Sequence, residues 1–276
     1  SESRYMPVSG RAPRMKPGTK DFRGTAFVFH GYFDHTGLYS HLIGHLLRSG
    51  YDVVIYDLPG HGLSSGKSVA ICDFGRYREI LEDCLSVCSD FALGPWFAIG
   101  QSTGAAVLLE HLFDHRFQQD NAPFQHWVFL APLLRPVGWK KLIWLHSLLG
   151  RFLKTWKREF VPNSHDTTFV RFLREEDPLQ VNAISVEWAG ALRRWVNRME
   201  VKSPVGAPVT IIQGPEDDTV DWRYNIPRLK QMLPRADIKI LSKGRHQLVN
   251  ESPEIREKVF ALMVNALHRR AQSRNF

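Results

Sequence analysis

The sequence predicts an α/β fold in which helices flank a mostly parallel central sheet. Short apolar runs alternate with helix-length periodic segments, which is typical of parallel strands connected by helices. The apolar runs are rich in Val, Ile and Phe without strict alternation, as expected for strands covered on both faces. The alternation stops between Pro132 and Pro208, which indicates an inserted segment.

The apolar runs predict six strands, and the periodic segments between them predict five helices. The predicted strands are 26–30, 52–56, 96–100, 127–131, 209–213 and 238–241. The predicted helices are 38–49, 76–91, 102–115, 222–232 and 253–271. In helix 76–91, apolar side chains recur at helical spacing and give one apolar face.

The inserted segment divides the predicted core, with 1–132 and 204–276 forming the core and 133–203 a helical cap. The segment shows no convincing strand pair, and it holds five of the eight Trp residues. A structureless loop of this length is uncommon in a compact domain, so we expect helices there. Residues 133–200 carry 12 Lys and Arg against 7 Asp and Glu, which is most of the net charge of +8.

Residues 142–158, taken as one helix, separate two kinds of side chain. Its apolar face would hold Leu145, Leu149, Phe152 and Trp156, and its basic face Arg151, Lys154 and Arg158. Gly150 makes a break in this helix possible. The apolar face either packs on the body of the protein or forms a lid that touches an anionic membrane.

Composition and motifs exclude several classes of protein. The hydrophobic fraction of 43% and charged fraction of 23% exclude general disorder, and no apolar run reaches the ~20 residues of a transmembrane helix. The N-terminal 20 residues are polar and basic, and the chain begins with Ser, which is compatible with a missing initial segment. Three cysteines favour cytosolic thiols over a disulfide framework. Nucleic-acid-binding, metal-ligand and nucleotide-binding motifs are absent, so no nucleic acid, metal or cofactor is expected.

The most informative motif is G-x-S-x-G at a predicted strand-to-helix turn. It consists of Gly100, Gln101, Ser102, Thr103 and Gly104. The turn is so sharp that side chains next to the serine would collide, and it exposes the serine hydroxyl at the edge of the sheet. The sequence therefore predicts that Ser102 is a nucleophile.

A serine nucleophile needs a base and an acid that orients the base. Candidates for both follow predicted strands, and the carboxyl ends of parallel strands form the site of an α/β sheet. Asp217, Asp218 and Asp221 come after strand 209–213, and His246 comes after strand 238–241. Asp221 suits the N-cap of the next helix, which leaves Asp217 and its neighbour Asp218 as candidates for the acid.

These motifs make the chain resemble an α/β-hydrolase of the monoacylglycerol lipase and lysophospholipase group, which includes serine aminopeptidase S33 domains. The chain order Ser102, Asp217, His246 is the order of that fold. Asp217 stands three residues after Gly214, where the group places its acid, so the resemblance favours Asp217 over Asp218. Further matches are the HG segment at 30–31, the D-x-x-G-H-G-x-S-x-G loop at 57–66, Asp73-Phe74 and Asp177-Pro178-Leu179.

The resemblance implies further roles around the site. The backbone N–H groups of Tyr32 and Thr103 are expected to form the oxyanion hole. Tyr32 stands where the group usually has a small residue, so its side chain is expected to narrow the acyl pocket. His30 and His61 are expected to shape loops, and no metal or cofactor is implied.

The expected function is a cytoplasmic serine esterase that cleaves a single-tailed lipid ester, such as a monoacylglycerol or lysophospholipid, through an acyl-enzyme. Peripheral contact with an anionic membrane is expected if the basic cap acts as a lid. Three alternatives keep the fold and change the substrate: a peptidase, a small-ester hydrolase and a carbon–carbon bond hydrolase. A non-catalytic binding protein is a further alternative.

Overall fold

A computed structural model of the chain describes residues 22–114 and 122–272. Six parallel strands form one sheet: β1 Gly24–Phe29, β2 Tyr51–Ile55, β3 Trp96–Gln101, β4 His126–Leu130, β7 Val209–Gln213 and β8 Asp237–Ile240. Their order in the sheet is β2-β1-β3-β4-β7-β8. The predicted sheet is confirmed, with each strand within two residues of its predicted bounds.

Helices cover both faces of the sheet, which is why its inner strands are mostly apolar. One hydrophobic cluster packs α1 and α8 on one face, and a second packs α2, α3 and α7 on the other. These helices are α1 Ser40–Arg48, α2 Phe74–Cys88, α3 Thr103–Asp114, α7 Trp222–Met232 and α8 Pro253–Gln272. None of the helices in the described ranges is long and apolar enough to cross a membrane.

The predicted helices are all present, with shifted ends that have local causes. Helix α2 begins two residues early because the Asp73 carboxylate caps it by accepting from the N–H of Gly75 at 2.8 Å. Asp221 caps α7 in the same way through Tyr224, as predicted. The predicted end of helix 102–115 and the polar segment 1–20 lie outside the described residues.

The segment 133–203, which we call the insertion, lies between β4 and β7. Its elements are α4 Trp139–Leu149, β5 Thr155–Lys157, α5 Thr167–Arg171, a π-helical turn Phe172–Glu176, β6 Ala183–Ser185 and α6 Val186–Met199. The expectation of no strand pair is wrong, because β5 and β6 form a short antiparallel pair. The two strands have three residues each and are far apart in sequence, so neither shows a period.

The prediction of one continuous helix over 142–158 is also wrong. Helix α4 ends at Leu149, and Gly150, where the sequence allows a break, follows as its C-cap. Residues 155–157 then leave the helical path to pair with β6. The apolar and basic faces predicted for a continuous helix therefore do not exist as such.

Helix α6 joins the insertion to the body of the protein. Trp195 is fully buried, stacks on Phe74 with ring centroids 4.8 Å apart, and donates from Nε1 to Glu110 Oε2 at 2.9 Å. Arg198 donates to both carboxylate oxygens of Asp73 at 3.0 and 3.1 Å. These contacts hold α6 on α2 and α3, beside the carboxyl edge of the sheet.

Candidate active site

Ser102 lies in the turn between β3 and α3 with a backbone φ of 52°, in the left-handed region that side chains other than glycine rarely adopt. A Cβ at Gly100 would lie 2.5 Å from the nitrogen of Ala105, and one at Gly104 would lie 2.0 Å from the carbonyl oxygen of Phe29. Both positions therefore require glycine, as the motif predicts. The Ser102 N–H donates to Leu130 O at 2.9 Å, which fixes the strained turn on β4.

The structure brings the three predicted side chains into one hydrogen-bonded chain. His246 Nε2 lies 2.9 Å from Ser102 Oγ, and His246 Nδ1 lies 2.8 Å from Asp217 Oδ2. Because an ionised carboxylate only accepts, the proton is on Nδ1, and Nε2 is free to accept from the serine hydroxyl. All three side chains are buried at the carboxyl edge of the sheet.

The Asp217 carboxylate is held by more than the histidine. Its Oδ1 accepts from the N–H groups of Thr219 at 2.8 Å and Val220 at 3.0 Å, and its Oδ2 accepts from Gln213 Nε2 at 3.0 Å. Burial acts to raise the pKa of Asp217, but His246 and these donors outweigh it and keep the pKa below its usual value. The carboxylate is therefore ionised and available to orient the imidazole.

The alternative acids occupy other positions. Asp218 is exposed at the rim of the site, and no hydrogen bond joins it to His246. Asp221 caps α7. Of the three candidates, Asp217 is the one whose carboxylate contacts His246.

The predicted oxyanion donors flank the serine. In the described part of the chain, neither the Tyr32 N–H nor the Thr103 N–H donates to a protein acceptor, so both are open to a ligand. The preceding residue, Gly31, is fixed because its N–H donates to Asp34 Oδ2 at 3.2 Å and Tyr39 Oη at 3.1 Å. Fixed donors with no partner are what an oxyanion hole needs.

His30 and His61 lie behind this loop as neutral side chains. His30 Nδ1 donates to Gly31 O at 2.8 Å, and its Nε2 accepts from the N–H of Leu58 at 2.8 Å. Burial lowers the pKa of His30 to about 3 and that of His61 to about 4. His30 holds the loop backbone through both ring nitrogens and His61 through one. This is the loop-shaping role that the resemblance implies for them.

Tyr32 connects the loop to the insertion, which sequence reasoning missed. Its ring stacks on Trp188 with centroids 3.9 Å apart. Its hydroxyl donates to Val69 O at 2.7 Å and accepts from the N–H of Ser185 at 3.2 Å. The unusual tyrosine therefore lines the site as a fixed wall.

Two further contacts hold the loop of His246, and neither has a sequence pattern that predicts it. Gln101 Nε2 donates to the His246 carbonyl at 2.8 Å. The buried Glu251 accepts from the Arg245 N–H and from His165 Nδ1, and His165 Nε2 lies 2.9 Å from Glu216. His165 belongs to the insertion, so it bridges the loops that carry Asp217 and His246.

The serine opens into a cavity of about 350 Å³ between the body and the insertion. One wall is apolar and includes Leu133, Leu142 and Trp188, which share one hydrophobic cluster. The other wall carries polar side chains from both parts of the chain. Elsewhere in the described residues, no group of three or more His, Cys, Asp or Glu side chains is arranged to hold a metal ion.

Known families and proteins resemble this chain. The family described as serine aminopeptidase, S33 matches residues 20–253. The chain belongs to this family. A monoglyceride lipase homolog of Monkeypox virus is 25% identical, with 86% of each chain covered. The monoglyceride lipase of Rattus norvegicus is 26% identical, over 84% of this chain and 78% of the relative.

Solved structures agree on the fold. The Paleococcus ferrophilus monoacylglycerol lipase superposes with a TM-score of 0.76 at 21% identity, covering 90% of this chain and 95% of that one. The α/β-hydrolase fold expected from the sequence is thus confirmed. Family membership makes the protein a serine ester hydrolase of the esterase and lipase kind.

Proposed function

We propose that the protein hydrolyses single-chain carboxylic esters of lipids, with Ser102 as nucleophile, His246 as base and Asp217 as the acid that orients it. The observation that carries the proposal is the hydrogen-bonded chain from Asp217 to Ser102, which ends in a half-apolar cavity. Nucleophile, base and orienting acid in contact are the arrangement of acyl transfer.

The first half of the reaction follows from the proton on Nδ1. As Ser102 Oγ attacks the ester carbonyl, His246 Nε2 takes the hydroxyl proton and Asp217 stabilises the resulting imidazolium. The carbonyl oxygen becomes an oxyanion that accepts from the N–H groups of Tyr32 and Thr103, each worth on the order of 3 kcal/mol in such sites. His246 then gives its proton to the departing alcohol, which leaves an acyl-serine.

The second half repeats these roles with water. His246 takes a proton from the water as it attacks the acyl-serine, and the same two N–H groups hold the second oxyanion. The intermediate collapses as His246 returns its proton to Ser102 Oγ, which frees the serine and releases the fatty acid.

The lining of the cavity favours a single acyl chain with a small polar alcohol. Leu133, Leu142 and Trp188 offer an apolar wall to the acyl chain, whereas peptide substrates require acceptors and donors along an extended backbone. The relatives named above are called monoglyceride lipases, which supports an acylglycerol-like substrate for this chain.

A turnover panel tests the substrate class. Monoacylglycerols, lysophospholipids, short p-nitrophenyl esters and peptide amides would be compared at matched concentration, with Ser102→Ala as the inactive control. We expect kcat/KM to be highest for a single-chain lipid ester. Highest turnover of a peptide amide or a short ester would overturn this assignment, and turnover of none would support a binding protein.

We also propose that the insertion acts as a cap over the site. It supplies part of the cavity wall, including Leu142, Arg158, Gln180 and Trp188, while the body supplies Ser102 and the oxyanion segment. The proposed boundaries of the cap are 133 and 203. In this proposal the body of the protein carries out the reaction, and the cap selects the substrate.

Further, we propose that the cap touches an anionic membrane while the protein is cytoplasmic and peripheral. The apolar contact would be Trp144, Leu148 and Phe152, which are 62%, 52% and 82% exposed. Exposed basic side chains surround them, at positions 140, 141, 151, 154 and 157. Apolar residues ringed by Lys and Arg are typical of interfacial binding. The predicted basic residue Arg158 is instead part of the cavity wall.

Vesicle binding tests the contact. Charge reversal of Arg151, Lys154 and Lys157 to Glu should weaken binding to phosphatidylserine vesicles roughly a hundredfold or more, because each basic residue near the surface contributes about 1 kcal/mol. Combined reversal of Arg76, Arg223 and Lys258, three exposed residues outside the insertion, is the matched control. Wild-type binding that is absent, or equally affected by both reversals, would contradict the contact.

A further inference from the structure

Arg158 directs a positive charge into the cavity that holds Ser102. It follows β5 directly, and its backbone N–H donates to Asn182 O at 3.0 Å, which fixes the chain there. The guanidinium carbon lies 4.0 Å from the centroid of the Phe33 ring. Phe33 itself has a φ of 69°, a conformation that bulky residues rarely adopt. The arginine is therefore a built part of the cavity wall.

The guanidinium is only partly satisfied by the protein. Its Nη1 donates to Gln180 Oε1 at 2.6 Å and weakly to Val181 O at 3.4 Å. Its Nε and Nη2 donate to no acceptor within the described ranges, and no carboxylate oxygen there lies within 4.0 Å of its nitrogens. Burial lowers the pKa of Arg158, yet an arginine stays charged in proteins. The Nε and Nη2 edge of the guanidinium is therefore left for a ligand.

The carboxylates around the cavity do not take this place. Asp34 is the carboxylate that interacts electrostatically with Arg158. Its oxygens already accept from Tyr39 Oη at 2.9 Å, from Gln247 Nε2 at 2.6 Å and from the Gly31 N–H. Burial raises the pKa of Asp34. The other two carboxylates of the lining, Glu159 and Asp218, are exposed to solvent.

Polar and apolar side chains both line the cavity. Gln180 accepts from Arg158, and Gln247 donates from Nε2 to Asp34 and from its backbone N–H to Asn163 O at 2.9 Å. Leu133 and Trp188 belong instead to a hydrophobic cluster. An acyl chain prefers apolar side chains, so the charged Arg158 suits the alcohol of the ester rather than its acyl chain.

We propose that Arg158 binds an anionic group on the alcohol part of the substrate, a phosphate or a carboxylate, and so makes an anionic single-chain ester the preferred substrate. The inference rests on the proposed lipid esterase function and narrows its substrate class. A guanidinium edge pairs with two oxygens of a phosphate or carboxylate at once, which a lysine does not do.

Matched short-chain esters test the proposal without an interface. 1-Octanoylglycerol, 1-octanoylglycerol 3-phosphate and 3-octanoylglycerate share the acyl chain, and assays below their micelle concentrations keep the exposed basic residues of the cap out of the comparison. The measured quantity is kcat/KM for each anionic ester divided by kcat/KM for the neutral one. The variants are Arg158→Met, Arg158→Lys and the control Arg174→Met, which removes an exposed charge beside Phe160.

The wild type should prefer at least one anionic ester, and the phosphate and carboxylate arms identify which. Arg158→Met should lower the preference about tenfold to a hundredfold, mainly through KM, because a charged hydrogen bond is lost in ground and transition state alike. Arg158→Lys should restore part of it, and Arg174→Met should leave it as in the wild type. Phosphonate labelling of each variant shows that the site is assembled.

Equal preference in the wild type and Arg158→Met, with the neutral ester still hydrolysed, would overturn the role of Arg158 and leave the esterase function standing. A wild type that prefers the neutral ester would overturn it as well. Hydrolysis of none of the three esters would instead contradict the esterase function on which the proposal depends.

Discussion

The carboxyl edge of the sheet and the insertion solve different problems in this molecule. At the edge, Ser102, His246 and Asp217 are buried, and every oxygen of Asp217 has a partner. In the insertion, Trp144 and Phe152 are exposed, and Arg158 keeps one edge of its guanidinium unpaired. The hydrogen bonds of the triad fix one geometry for the chemistry, whereas the exposed and unpaired groups in the insertion are available to substrate and surroundings.

The two regions meet at many contacts but contribute differently to the site, the edge through the hydrogen-bonded triad and the insertion through the cavity wall. Tyr32 stacks on Trp188, His165 bridges the loops of the acid and the base, and Trp195 anchors α6 on the body. Changes at the edge should therefore act on every ester alike. Changes in the insertion should alter the choice among esters, as the Arg158 variants test.

The largest expected effect is at the acid. Asp217→Asn should lower kcat by roughly 10⁴-fold for all esters, because the amide favours the wrong imidazole tautomer and cannot stabilise the imidazolium. Steady-state kinetics on a short and a long ester measures it. Asp218→Asn is the neighbouring control and should have a minor effect. Equal losses at both positions would break the assignment of the acid.

A smaller effect should appear in stability against pH. His30 and His61 bind protons in the unfolded chain below about pH 6.5, but in the folded protein only near pH 3 and pH 4. Their contribution is fully present above pH 6.5 and is lost as pH falls toward those values, at up to about 1.4 kcal/mol per pH unit for each histidine. Thermal unfolding between pH 7 and pH 4.5 should show Tm falling with acid.

His61→Gln sharpens this prediction, since it removes one titrating group behind the oxyanion loop. The variant is expected to be less stable at pH 7, but its Tm should fall less steeply with acid than that of the wild type. Parallel slopes in the two proteins would show that His61 is not held neutral by the fold.

The sequence predicted the edge far better than the insertion, and the reason is physical. Ser102 and Asp217 follow buried strands and His246 follows the half-buried edge strand β8, and parallel strands bring their carboxyl ends together whatever lies between them. The acid could be separated from its neighbour Asp218 only by resemblance, since both are in the same loop. The contacts that hold His246 through Gln101 and Glu251 are set by tertiary packing and have no period.

The insertion lacked such regularity. The three-residue strands β5 and β6 carry no detectable alternation. The sequence therefore predicts a helix that continues through 150–158, whereas α4 ends at Leu149. That error placed Arg158 on a basic outer face, whereas it lines the cavity. Short elements paired over long separations depend on the body they pack against, which a local pattern does not contain.

The most direct test of the central claim is covalent labelling with a fluorophosphonate, read by mass spectrometry of the labelled peptide. The wild type should carry one adduct on Ser102. Ser102→Ala should carry none and should lose ester turnover while keeping its thermal stability. His246→Ala should slow both reactions by several orders of magnitude, and the double variant should be no worse, since the residues act as a unit. An adduct on another residue, or an active Ser102→Ala, would contradict the account.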